Sequence, residues 1–129
     1  MEKTFKLHLN YAIVAIVLLI SISVVSLMPS NELPKTSFNQ IDKIVHVIMY
    51  FILSNFMVLG FANLKHKSIF VKGIPILLSF FCSFLIEILQ EFATSSRFFE
   101  IFDILANGIG CMIVYLIIRT NFLNKLKYK

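Results

Sequence analysis

Cysteine is scarce in this chain of 129 residues, where only Cys82 and Cys111 occur. Both lie within apolar runs, and a thiol there behaves as a small buried hydrophobe, so neither a disulfide framework nor thiol redox chemistry is expected. Glycine is sparse as well, with four residues, none of them beside Ser95 or Ser96. Without elbow-like glycines, a serine nucleophile partnered by histidine finds no support. Internal repeats and low-complexity tracts are lacking. Missing too is any alternation of apolar and polar residues from Ile13 to Ile20, which argues against the strands of a transmembrane barrel.

What the chain has in excess is apolar side chain. Its hydrophobic fraction is 58% and its mean hydropathy +0.86, more than a soluble fold of this size can cover with polar surface. Lipid is therefore the expected solvent. Four uninterrupted runs, at about residues 9–28, 44–64, 73–92 and 104–120, each approach the roughly 20 residues that a helix needs to cross hydrocarbon. The expected fold is all-α, a bundle of four transmembrane helices formed by residues 1–129 as a single domain. Lys3 and Lys6 precede the first run as they would in a secretory signal. Signal cores are shorter, however, and Ser26-Leu27-Met28-Pro29 lacks the small-x-small cleavage pattern, so a retained span is expected. Pro75 falls near the expected start of the third span, where a missing N–H does least harm.

Charge orients the bundle. Nine of the twelve basic residues, Lys3, Lys6, Lys65, Lys67, Lys72, Arg119, Lys125, Lys127 and Lys129, fall on one side of the four spans. The positive-inside rule makes that side cytoplasmic, together with both termini, in a multi-pass protein of the cytoplasmic membrane. Basic residues facing anionic headgroups account for the net charge of +5, so no nucleic-acid partner is needed. The other side carries Lys35, Lys43 and Arg97 with six of the seven acids: Glu32, Asp42, Glu87, Glu91, Glu100 and Asp103.

At that outer side, polar residues recur at helical spacing. Asp42, His46 and Tyr50 form one stripe, Glu87, Gln90 and Glu91 a second, and Asp103, Asn107 and Gly110 a third, each on one helix face. Helical rise places His46, Glu87 and Asn107 at a common depth of about 5–10 Å below the boundary. An ionisable group facing lipid there would cost about 2–3 kcal/mol or more, so these faces are expected to turn toward one another. Gly110, with Ala106 one turn earlier, would let helices approach closely in that layer.

Simpler roles stand beside these. Asp42 and Asp103 suit helix starts, where short acids satisfy free N–H groups. His46 suits an interhelical hydrogen bond, Tyr50 ring packing, and Arg97 a headgroup contact. Glu87, set in an almost wholly apolar stretch, has no such default and reads as functional. His46 and Glu87 are the candidate acid and base for chemistry on a lipid, though no reaction is specified. A structural metal site asks for four ligands, commonly several histidines or cysteines, and one histidine lies in this layer, so no metal or other cofactor is expected. A carrier role for Glu87 is disfavoured because no polar stripe is seen to reach the cytoplasmic half.

Asp42-Lys43-Ile44-Val45-His46, Glu87-x-x-Gln90, Arg97, and Asp103-Ile104-Leu105-Ala106-Asn107 with Gly110, taken in this order and spacing, resemble the VanZ-like family of small bacterial membrane proteins. The likeness runs from about Leu27 to Val114. It departs from the family at Thr94-Ser95-Ser96, where many relatives have a Pro-Gly type turn. The resemblance implies a cell-envelope role connected with low-level resistance to the glycopeptide teicoplanin, and binding residues at Asp42, Lys43, His46, Glu87, Gln90, Arg97, Asp103 and Asn107. An outer pocket would then receive an envelope lipid, glycan or lipoglycopeptide, with an enzyme acting on an envelope lipid through His46 and Glu87 as the alternative.

Overall fold

Away from water, each apolar run must satisfy its own backbone N–H and C=O groups, and a helix does so within one segment. The computed structural model describes residues 2–28, 41–61, 69–93 and 99–127. Its helices follow in the order α1 (Glu2–Ser26), α2 (Ile41–Phe61), α3 (Ile69–Ala93) and α4 (Ile101–Lys127). Each contains a segment of 21 to 25 residues long and apolar enough to cross a bilayer. The protein is an all-α bundle of four membrane-spanning helices.

The partition of side chains is the reverse of a soluble fold. Phe70 is 84% exposed, Phe92 82% and Leu77 68%, while Glu87, Asn107, Ser54, Ser79 and Ser83 are almost completely buried. Such an apolar exterior is stable only against acyl chains. Polar side chains outside the interior bond within their own helices: Ser21 and Ser23 donate to the carbonyls of Val17 and Leu19, and Asn55 to that of Phe51.

All four helices start earlier than the apolar runs do. At α2 and α4 the earlier start brings Asp42 and Asp103 into the first turn, where the positive end of the helix favours an acid. At α3 it places Pro75 inside the helix and not near its start. The Pro75 ring then denies the Val71 carbonyl its usual donor, a cost accepted within an otherwise regular span.

Helix α2 is the hub. It packs most extensively on α4, then on α1 and α3, whereas α1 scarcely touches α3. Two glycines set the closest approaches. A Cβ at Gly60 would lie 2.5 Å from the Ala12 backbone nitrogen, and one at Gly110 would lie 2.4 Å from the Val47 carbonyl oxygen. Tyr50, Leu53, Ile76 and Val114 fill the space between the helices so brought together.

Polar contacts run deeper than the stripes visible in the sequence. Ser54 donates to Ser79 at 3.0 Å and lies 3.2 Å from the Cys111 sulfur, so α2, α3 and α4 meet in a small polar knot beyond the middle of α2 and α3. Cys111 is thus more than a hydrophobic filler. Ser54→Ala should lower stability in detergent by about 1 kcal/mol, with the Ser54→Ala/Ser79→Ala pair little worse than either single change, since removing both partners leaves nothing stranded. Additive losses would mean that the two hydroxyls are not coupled.

Candidate functional site

Where α2 and α4 begin and α3 ends, the bundle gathers its charged groups. The side chains at 42, 43, 46 and 50 project from the first turns of α2, those at 87 and 90 from the last turns of α3, and those at 103 and 107 from the first turns of α4. Helical spacing puts each set on one face; tertiary packing turns the faces together.

The innermost layer joins all three helices. His46, Glu87 and Asn107 are buried, and His46 Nδ1 lies 3.0 Å from Asn107 Oδ1 and 3.9 Å from Glu87 Oε1. An amide oxygen accepts and cannot donate, so Nδ1 carries the proton and donates it to Asn107. The nearby Glu87 carboxylate favours that same tautomer. Tyr50, one turn below His46, is also buried.

The outer layer is ionic. Lys43 Nζ donates to Glu100 Oε2 at 2.5 Å and to Asp103 Oδ1, with Asp42 Oδ2 at 3.6 Å. This ammonium bridges α2 to the start of α4, where Glu100 also accepts a backbone bond from Asp103 N at 3.0 Å. On the far side of the imidazole, His46 Nε2 lies 3.9 Å from Asp42 Oδ1. Asp42, His46 and Asp103 thereby bring two carboxylate oxygens and a ring nitrogen within 4.8 Å of one another.

Not every candidate joins this cluster. Gln90 donates to the Ser26 carbonyl at 2.8 Å, tying α3 to the end of α1. Arg97 lies outside the described residues. Glu100, by contrast, reads in the sequence as one more outer acid, and only the fold reveals it as a partner of Lys43. An acid three residues before Asp103, at i and i+3 across a helix start, was the available hint. His8 was likewise silent in the sequence; its Nδ1 lies 2.6 Å from the Leu59 carbonyl oxygen, joining α1 to α2.

Membrane-spanning helices around a buried His–Glu–Asn layer, closed at the end by a lysine–carboxylate network, define an integral membrane protein with a polar interior at one end. The chain belongs to the VanZ/LLP1 family, whose sequence model matches residues 3–124. No curated protein and no solved structure matches it.

Proposed function

We propose that this protein serves the bacterial cell envelope, with both termini in the cytoplasm and the polar end of the bundle outside. There it binds the polar part of an envelope lipid, a lipid-linked glycan or a lipoglycopeptide such as teicoplanin. Residues 1–129 act as a single VanZ-like domain. The observation that carries this reading is the convergence of Glu87, His46 and Asn107 from three helices beneath the ionic groups at the bundle's end. Burying a carboxylate and an imidazole costs several kcal/mol that apolar side chains would not, so they are retained for more than packing. The excess of basic residues toward the opposite side of the spans in the sequence supports the orientation.

In the pocket, Glu87 and His46 form the floor, Lys43 and Asp103 the wall, and Asp42 the rim. Gln90 and Asn107 hold the helices in register, and Arg97 supplies a guanidinium suited to an anionic group. In a sensitised bacterium, Glu87→Gln, His46→Ala and Arg97→Ala are each expected to abolish the protein's contribution to teicoplanin resistance at unchanged protein level. Wild-type resistance in all three variants would end this reading.

A further inference from the structure

The outer cluster carries more negative than positive charge. Among the described residues, Asp42, Glu100 and Asp103 gather around Lys43, three carboxylates to one ammonium. Water is largely excluded around His46, Glu87 and Asp103, which are buried, so the excess acts in a medium that screens poorly. That excess suits a second cation.

The imidazole is set up to hold one. Because Nδ1 gives its proton to Asn107 Oδ1, Nε2 is the ring nitrogen available to a ligand; it faces Asp42 Oδ1, and Asp42, His46 and Asp103 form one group of ligand atoms. In its neutral form that nitrogen offers a lone pair to a cation held between it and the Asp42 oxygen 3.9 Å away. Metal-bound histidines characteristically donate their second N–H to a carbonyl or carboxylate, which fixes the tautomer and strengthens the ligand. Asn107 and Glu87 occupy those places. Asn107 is also fully buried, so the imidazole it orients is held in place from within the bundle.

The geometry points to a divalent-cation site in which His46 Nε2 and one carboxylate oxygen each from Asp42 and Asp103 are the ligands, with Glu87 and Asn107 orienting the imidazole. Bonds of about 2.0–2.2 Å at tetrahedral angles put ligand atoms roughly 3.4 Å apart. The group spans 4.8 Å at most, and Asp42 is exposed, so a turn of its side chain closes the gap. Lys43 does not block the site, because a carboxylate keeps lone pairs beyond the one that Asp103 gives to the ammonium. One nitrogen with two oxygens suits zinc or manganese better than the softer-ligand metals. Counting histidines argued against a metal; here carboxylates from two helices take the places that further histidines would fill, and an open coordination position remains, as in catalytic rather than structural sites.

This inference goes beyond the proposed pocket and can fail separately from it. The full chain, purified in detergent and stripped with chelator, is titrated with Zn²⁺ alone and with Mn²⁺ alone, with metal content read by mass spectrometry after desalting and the Mn²⁺ signal by electron paramagnetic resonance. The expected result is one equivalent per chain. His46→Ala and Asp42→Asn should remove it, and Glu87→Gln should weaken it about 10–100-fold as a positioning change. A His8→Ala/His66→Ala double variant should bind as the wild type does. Asp42 is exposed, so its variant is expected to fold, and circular dichroism checks this. Absence of binding by folded wild type, or binding undiminished in Asp42→Asn and His46→Ala, overturns the site. If metal binding is lost in Asp42→Asn while Glu87→Gln, His46→Ala and Arg97→Ala all keep wild-type teicoplanin resistance, the metal site stands and the proposed function falls; resistance dependent on Glu87 in a protein that takes no metal gives the reverse.

Discussion

Gly110→Val is expected to be among the most damaging single substitutions in this protein, lowering its stability in detergent well beyond the loss for Gly110→Ala. A Cβ at position 110 would lie 2.4 Å from the Val47 oxygen, 2.8 Å from the Phe51 nitrogen and 3.3 Å from the Tyr50 carbonyl carbon. These are backbone atoms of α2, which cannot swing aside as a side chain would. Helix α4 must therefore withdraw from α2, opening the most extensive interface in the bundle and drawing Asn107, one turn earlier, away from His46. Overpacking of this kind costs about 1–3 kcal/mol for a single added methyl, and valine adds two more carbons in the same space. Unfolding in mixed micelles measures the effect, and a His46-dependent readout should fall with it. Gly73 provides the control, because a Cβ there meets nothing within 4 Å. Gly73→Ala should be neutral or stabilising by up to about 1 kcal/mol on helix propensity alone. Equal stability of Gly110→Ala and Gly73→Ala would show that α2 and α4 are not in contact at this glycine.

Lys43→Met should be the second large loss, at about 2–3 kcal/mol, below the roughly 3–5 kcal/mol of a fully buried pair because the lysine sits at the rim. Its ammonium is shared by Glu100 and Asp103, with side-chain exposures of 28% for Lys43, 56% for Glu100 and 10% for Asp103. Removing it strands the Asp103 carboxylate where water scarcely reaches, whereas Glu100 can rehydrate. Asp103→Asn introduced into Lys43→Met should therefore recover more than half of the lost stability, and Glu100→Gln should recover little. A double-mutant cycle measures the coupling. Strict additivity of Lys43→Met and Asp103→Asn would remove the bridge from the account of how α2 is held to α4.

Several features of the site were legible because they depend on spacing within one helix. Residues 42, 46 and 50 share a face whatever the helix packs against, and so do 103, 107 and 110. A carboxylate at 87 in an apolar span had to turn inward, since lipid offers it no partner. The expectation that Gly110 marks a close approach followed from the same logic, and the Val47 oxygen is what it approaches. Gly60 against Ala12 gave no comparable signal, because one small residue in an apolar run does not say which neighbour it admits.

Other features could not be read from spacing. Lys43 lies beside Asp42 in sequence, yet its shorter contacts are with Glu100, just before α4, and Asp103 in its first turn. Ser54, Ser79 and Cys111 look like ordinary small residues within three separate apolar runs, and they become a polar knot only where those runs cross. Gln90 belongs to the stripe of Glu87 but reaches α1 instead, since three residues along a helix turn the side chain far enough to face a different neighbour.

The sequence by itself determined the solvent, the number of spans and the faces that avoid lipid, because these follow from apolar length and from the cost of exposing charge to acyl chains. Which faces meet, which carboxylates share Lys43, and which nitrogen of His46 faces Asp42 were decided by the tertiary structure. Those outcomes depend on distances between helices, and such distances arise from packing around Gly60, Gly110 and Tyr50, which no single segment encodes.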